Sequence, residues 1–216
     1  MPSSAWIRVI IFLAAGSMFA LSTLTGDSID EQGLRWMGGV TGGVTLLLLA
    51  FDRWIWRWPV IRRLSELGGA RVIHGTWRGT LHYTRDADGN PGEQPIFMAV
   101  CQTYSAVKVR CYFPTTGSES ISLMAAIDRD DHRHVLRYVY RSDSDAPDRD
   151  TRRATEGATE LRLVGRPVEE IQGAYYVERN GGKGKIAFDA YSPRVAGSAQ
   201  QAARLSYRDL PQPSSD

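Results

Sequence analysis

The sequence predicts two N-terminal transmembrane α-helices followed by an all-β domain, an eight-stranded antiparallel up-and-down β-barrel. Three observations predict this fold class. Two uncharged, mainly apolar stretches occupy residues 9–25 and 36–51. From residue 74 onward, polar and apolar residues alternate with the period of two that is typical of β-strands. Turn-forming residues interrupt this alternation at short intervals, as they do in a series of hairpins.

The two apolar stretches define a predicted two-helix transmembrane hairpin over residues 1–58. At about 1.5 Å per residue, each reaches roughly 25 Å, near the short limit for crossing a bilayer. Trp54, Trp56 and Trp58 follow the second stretch, where interfacial aromatic residues are common. The alternatives are a cleaved signal peptide for the first stretch and a buried core helix for the second. A signal peptide explains neither the second stretch nor its tryptophans.

The charges beside these stretches predict their orientation. The loop between them carries Asp27, Asp30 and Glu31, whereas the second stretch runs into a basic juxtamembrane linker over residues 59–72. The arginines that flank the second stretch are Arg53, Arg57, Arg62, Arg63 and Arg71. The positive-inside rule therefore places both termini in the cytoplasm. A reducing compartment also suits Cys101 and Cys111 as two free thiols.

Glycines recur at helical spacing in the second stretch. Gly38 and Gly42, and likewise Gly39 and Gly43, form two overlapping Gly-x-x-x-Gly repeats. Small residues at this spacing let helices approach closely in lipid. The repeats predict either self-association between chains or packing of the second helix against the first.

The β-rich domain is predicted over residues 73–195, with a C-terminal tail over 196–216 in which "SAQQAARLS" forms a short helix or coil. Antiparallel strands joined by hairpins can close into a barrel, which removes exposed edges. A sandwich is the alternative, because the number of strands does not decide closure. The predicted strands cover residues 74–84, 96–104, 106–113, 119–127, 133–141, 158–165, 170–179 and 184–191.

The β-rich domain lacks a recognisable catalytic constellation, so we do not expect an enzyme or a cofactor. His132 and His134 are two residues apart at the start of a strand, but no third ligand is adjacent. We expect them to be solvated turn residues and expect no metal site. The "DADGN" turn lacks most ligands of a calcium loop.

Aromatic residues and arginines on the predicted strands suggest a small anionic ligand that contains bases. Aromatic faces can stack on bases, and guanidinium groups can bind phosphates. The alternative is that these side chains pack in the core or pair with surface carboxylates. The predicted ligand contacts are Tyr83, Tyr104, Arg110, Tyr138, Tyr176 and Arg179.

Two local patterns complete a recognisable arrangement. They are Gly75-x-Trp77-x-Gly79 in "GTWRG", and the run from Gly173 to Arg179 in "IQGAYYVERNGGKGKI". Together with the two helices and the arginine-rich junction, they make the chain resemble the two-transmembrane, β-strand-rich effectors of bacterial CBASS anti-phage systems. These effectors are minimal β-barrel proteins, STING-like in function.

The resemblance implies a function that composition does not. A CD-NTase enzyme would make a cyclic di- or oligonucleotide messenger, which the barrel would bind as its partner. The multi-pass helices would then self-associate, disrupt the lipid of the bacterial inner membrane and kill the infected cell. No DNA or RNA partner is implied. The rival interpretations are a membrane-anchored lipocalin-like barrel that binds a small apolar ligand, and a structural module that recruits a protein.

Overall fold

A computed structural model of the chain describes residue 16 and residues 31–58, 71–84, 91–130, 133–143, 155–178 and 182–210. The chain forms two compact units. The first comprises Met1–Leu67 together with Thr103–Ala106, and the second comprises Gly68–Gln102 and Val107–Asp216.

The first unit contains helix α1, Glu31–Arg53, and a 3-10 helix, Ile55–Arg57. Helix α1 includes the whole of the second stretch predicted to span a membrane, residues 36–51. Among the residues that the structure describes, no helix combines the length and apolar character of a candidate membrane span. The first predicted span, residues 9–25, lies outside the described residues except for Gly16.

The second unit is a closed antiparallel barrel, as predicted. Within the described residues, eight strands pair in sequence order, and the first also pairs with the eighth. The strands are β1 Gly75–Thr84, β2 Pro91–Gln102, β3 Val107–Phe113, β4 Ser118–Asp130, β5 Arg133–Asp143, β6 Thr155–Val164, β7 Glu170–Val177 and β8 Lys183–Ser192. A two-residue strand, β9 Arg208–Asp209, pairs with β8. The sandwich alternative is therefore wrong.

Strand β2 begins five residues before its predicted start at residue 96. The run "DADGNPGE", residues 86–93, is rich in turn-forming residues, and the sequence therefore predicts a turn where this strand begins. In the structure Pro95 pairs with β1 only, since the pairing of β2 with β3 begins at Phe97. A proline on the unpaired side of a strand leaves no ladder bond unmade.

Alternation of side chains places one set inside the barrel. Leu136, Leu161 and Ile171 are fully buried there, and the pattern on β6 alternates strictly from Gly157 to Val164. Trp77 is also interior, and its indole Nε1 donates to the Ile73 carbonyl at 2.9 Å. The centre of the barrel is thus filled by side chains, as expected for eight strands.

The C-terminal segment covers part of the outside of the barrel. Its short helix α2, Ala199–Arg204, begins at Ser198, whose hydroxyl accepts a hydrogen bond from the Gln201 amide. Ala196 and Ala202 pack against outward residues of β2 and β3, namely Phe97, Ala99 and Tyr112. The described part of the predicted tail therefore packs against the barrel.

Candidate functional site

Three inward-pointing tyrosines each lie opposite a glycine on the neighbouring strand. These tyrosine–glycine pairs are Tyr83 with Gly92, Tyr140 with Gly157 and Tyr175 with Gly184. A Cβ atom at Gly157 would come within 2.5 Å of the Tyr140 ring, and one at Gly184 within 2.5 Å of the Tyr175 ring. Each tyrosine ring therefore covers its glycine, and only glycine leaves room for it.

The strand register gathers the three tyrosines at one end of the barrel, which we call the tyrosine end. Gly184 pairs with Tyr83 on one side and with Tyr175 on the other. Tyr175 in turn pairs with Thr159, two residues along β6 from the partner of Tyr140. Because the centre of the barrel is filled, a ligand held by inward side chains has to lie at an end such as this one.

Beneath the tyrosines is a layer of thiol and hydroxyl groups. The Cys111 sulfur and the Tyr138 hydroxyl oxygen are 3.6 Å apart, and both residues are buried. Burial raises the pKa of the Cys111 thiol from 9.0 to about 11, although hydrogen bonds with Tyr138 and Ser120 oppose the shift. The thiol is therefore protonated at neutral pH and is a poor nucleophile.

Two phenols of this region, those of Tyr138 and Tyr140, are also held neutral. Burial raises the pKa of Tyr138 well above its ordinary value, and the neighbouring Cys111 adds to the shift. Burial likewise raises the pKa of Tyr140, with smaller contributions from Tyr175 and Cys111. Neutral phenols offer an aromatic face for stacking and a hydroxyl that can donate or accept a hydrogen bond. The arrangement is suited to binding a base-containing molecule.

Two of the six sequence-predicted ligand contacts lie inside the barrel. Tyr83 belongs to the tyrosine end, and Tyr138 lies in the polar layer beneath it. Tyr104 lies instead in the Thr103–Ala106 segment of the first unit. Its ring makes edge contacts with Phe51 and Trp56, at centroid distances of 5.4 and 6.1 Å.

The described structure does not place the other three predicted contacts, Arg110, Tyr176 and Arg179, at the tyrosine end. Arg110 and Tyr176 lie on the outer face, because alternation turns their neighbours Cys111 and Tyr175 inward. Arg179 lies outside the described residues. The described structure does not test any of the three as a ligand contact.

Tyr140 and Tyr175 were not among the predicted contacts, although both belong to the tyrosine end. Tyr140 is two residues from Tyr138 on the same strand, so the two side chains lie on the same face, and a prediction that Tyr138 points inward applies equally to Tyr140. The sequence did not distinguish Tyr175 from Tyr176, because the two tyrosines are adjacent on one strand and alternation places them on opposite faces. The expectation for His134 was wrong: it is buried on β5 rather than solvated in a turn.

All four glycines predicted for helix assembly, Gly38, Gly39, Gly42 and Gly43, lie in α1. Gly39, Gly42 and Gly43 are exposed, and a Cβ atom at any of them would meet, beyond the adjacent backbone of the same helix, no atom of the described residues within 4 Å. These positions present the backbone of α1 at the surface of the described structure. Their role in assembly stays a prediction.

Comparison with known families and proteins gives one assignment. No curated protein matches the chain. A family model described as "Cap15, cyclic dinucleotide receptor domain" matches residues 72–189, which is more than half of the chain. The match runs from just before β1 into β8 and so covers the barrel, including the tyrosine end. The chain therefore belongs to the Cap15 cyclic dinucleotide receptor family, which confirms its resemblance to the CBASS effectors.

Proposed function

We propose that the protein is a CBASS effector whose barrel binds a cyclic dinucleotide messenger at the tyrosine end. The observation that carries this proposal is the family match over a barrel whose inward tyrosines converge at one end. The protein acts as a receptor and does not turn the messenger over. Its buried thiol and phenols are held neutral, which suits hydrogen bonding rather than acid–base chemistry.

Recognition of the messenger combines stacking with hydrogen bonding. Tyr83, Tyr140 and Tyr175 supply ring faces on which bases stack, each ring held against its paired glycine. Stacking contributes about 1–3 kcal/mol per base and tolerates different bases. Phosphate binding needs positive charge, and of the two predicted arginines Arg179 lies nearer in sequence to this end, two residues after the last residue of β7, Val177.

The rival apolar-ligand function fits this barrel less well. A lipocalin-like protein needs a deep apolar cavity, whereas Leu136, Leu161 and Ile171 are fully buried in the centre of this barrel. The side chains nearer the tyrosine end carry hydroxyl groups, which favour a polar ligand. We therefore retain the cyclic nucleotide function.

The N-terminal helices supply the output in this proposal. Helix α1 exposes Leu46, Leu47 and Leu49, each more than 60% accessible, and Trp54 follows it. Exposed leucines of this kind favour an apolar environment such as lipid. We propose a multi-pass inner-membrane protein with a hairpin over residues 1–58, a basic linker over 59–72 and both termini in the cytoplasm.

Activation in this proposal proceeds from the barrel to the helices. A phage-activated CD-NTase supplies the messenger, and its binding drives the helices to self-associate through Gly38, Gly39, Gly42 and Gly43. The assembled helices disrupt the membrane, and the infected cell dies.

Calorimetric titration of the full chain in detergent micelles tests the receptor function. We expect at least one member of a panel of cyclic dinucleotides to bind, and the linear dinucleotide of the same sequence to bind much more weakly. Tyr140→Ala should weaken binding roughly five- to a hundredfold, which corresponds to one stacked base. Tyr140→Phe should retain most of the affinity, because it keeps the ring.

Two further variants compare the inner and outer faces of the barrel. Tyr176→Ala and Arg110→Ala remove predicted contacts that lie on the outer face, so we expect each to change affinity less than twofold. A large loss in these variants with none in Tyr140→Ala would move the site to the outer surface. Absence of binding across the panel, or steady hydrolysis of the messenger, would defeat the receptor function.

A further inference from the structure

An apolar row crosses the outer face of four neighbouring strands. Met124 on β4 pairs with Val139 on β5, Val139 with Ala158 on β6, and Ala158 with Tyr176 on β7. Met124 is 74% exposed, Tyr176 52% and Val139 43%. Scattered exposed apolar residues are ordinary, but four in continuous register form a patch of the kind that marks an interaction site.

Two rows of charge border this apolar row. On one side Arg137 and Glu160 form an ion pair of 3.0 Å, and on the other Arg141 and Glu156 form one of 2.7 Å. In both rows the arginine lies on β5 and the glutamate on β6. All four side chains are at least 40% exposed, and ion pairs this exposed add little to the stability of a single chain. They can therefore exchange partners at little cost.

We infer that this face binds a second copy of the same chain about a two-fold axis parallel to the strands, between β5 and β6. Such an axis lays β6 of the second copy over β5 of the first. Arg137 then faces Glu160 of the second copy, and Arg141 faces its Glu156. An axis across the strands would instead set Arg137 against Arg141 of the second copy, which is repulsive. The charges thus select one self-complementary arrangement.

The sizes of the apolar side chains fit the same arrangement. Two barrels present convex surfaces, so the gap between them widens with distance from the axis. The small residues Val139 and Ala158 lie beside the axis, and the long residues Met124 and Tyr176 lie one strand further out. With strands about 4.8 Å apart, the longer side chains reach across the wider part of the gap. This contact needs no messenger and does not rest on the proposed receptor function.

A charge-complementation experiment on the full chain in detergent micelles tests the arrangement. Arg137→Glu and Glu160→Arg, each alone, should weaken self-association measured by analytical ultracentrifugation roughly tenfold, because attractive contacts become repulsive. An equimolar mixture of the two variants should recover wild-type association. In the mixed pair, residue 137 of each copy again faces an opposite charge at residue 160 of the other copy. Within each chain, residues 137 and 160 still carry like charges. Lys185→Glu, an exposed change on β8, should leave association unchanged.

A mixture that associates as weakly as either variant alone would overturn the inference. A second experiment leaves these charges intact and uses the exposed Cys101→Ser background. Chains carrying Met124→Cys and chains carrying Tyr176→Cys, when mixed, should be joined between copies by a short bismaleimide reagent that spans the wider part of the gap. Met124→Cys mixed with Gln172→Cys should not. Equal crosslinking in all mixtures, or protection of this face by lipid vesicles without crosslinking, would also overturn it.

Discussion

At the scale of single residues, the tyrosine end depends on glycines, which leave space for the tyrosine rings because they have no side chain. The Tyr140 ring occupies the space that a side chain at residue 157 would fill. The same relation holds for Tyr83 with Gly92 and for Tyr175 with its glycine on β8. A glycine in a strand weakens it in isolation, and an aromatic residue packed across it restores the contact. The glycines therefore fix where the rings lie.

Gly157→Ala tests this dependence. The added Cβ would collide with the Tyr140 ring and with the backbone of Tyr176, so a strand or the ring must move. We expect the free energy of unfolding to fall by about 1–3 kcal/mol, as for overpacking of a core. Messenger affinity should fall together with it. Ala187→Val, an exposed substitution on β8, is the control and should change neither by more than a few tenths of a kcal/mol.

The buried thiol gives a prediction about pH. Between 9.0 and about 11, Cys111 keeps its proton in the folded state and loses it in the unfolded state. The folded state then binds more protons, so stability falls as pH rises through this window, by at most about 1.4 kcal/mol per pH unit for this one group. Urea unfolding at pH 9, 10 and 11 should show a shallower loss for Cys111→Ser than for the wild type. Equal slopes would contradict the role of this thiol.

At the scale of elements, alternation and turn residues were sufficient to predict all eight barrel strands, seven of them within three residues of both ends. They did not predict pairings such as that of Tyr140 with Gly157. Pairing depends on register, and a strand can shift against its neighbour without changing its own pattern. Strand β4 also contains an irregularity between Ser122 and Met124, which changes the register within one element. Arg110 and Tyr176 were predicted as contacts for a different reason: alternation separates two adjacent residues onto opposite faces but does not say which of the two points inward.

One element-scale prediction concerns the attachment of the C-terminal segment to β1. Thr76 is fully buried, and its hydroxyl donates to the Arg194 carbonyl at 2.7 Å while accepting from the Ala196 amide at 2.9 Å. Thr76→Val keeps the shape but leaves both backbone groups unpaired, at a cost of about 1–3 kcal/mol. We expect a lower melting temperature by thermal unfolding, whereas Thr80→Val on the same strand should change it little. An unchanged Thr76→Val protein would mean that water replaces both bonds.

At the scale of the whole molecule, the sequence supported the sensor more firmly than the output. Repeated hairpins predict the order of the strands, because each new strand pairs with its predecessor, whereas closure depends on the pairing of β1 with β8. The ligand class came from resemblance, since tyrosines and arginines on strands fit core, surface and site alike. The membrane helices were inferred from apolar stretches, and the first of them, residues 9–25, lies outside the described structure except for Gly16.

The last prediction separates sensing from output in the whole protein. Gly42→Leu places a bulky side chain on the exposed surface of α1, at a position where an added Cβ atom has open space around it in the described structure. We therefore expect messenger affinity within twofold of the wild type by calorimetry. In cells that make the messenger, the same variant should lose killing, because close approach of helices in lipid needs small residues.

Tyr140→Ala is the matched variant at the other step, and it should lose affinity and killing together. Val44→Phe, two residues along the same helix and so on the side opposite Gly42, controls for added bulk alone and should retain killing. Full killing by Gly42→Leu, with crosslinking between chains unchanged on activation, would show that the glycine face is not the assembly surface. Loss of messenger affinity in Gly42→Leu would show instead that the helix and the binding site are not separable, since the substitution lies outside the barrel.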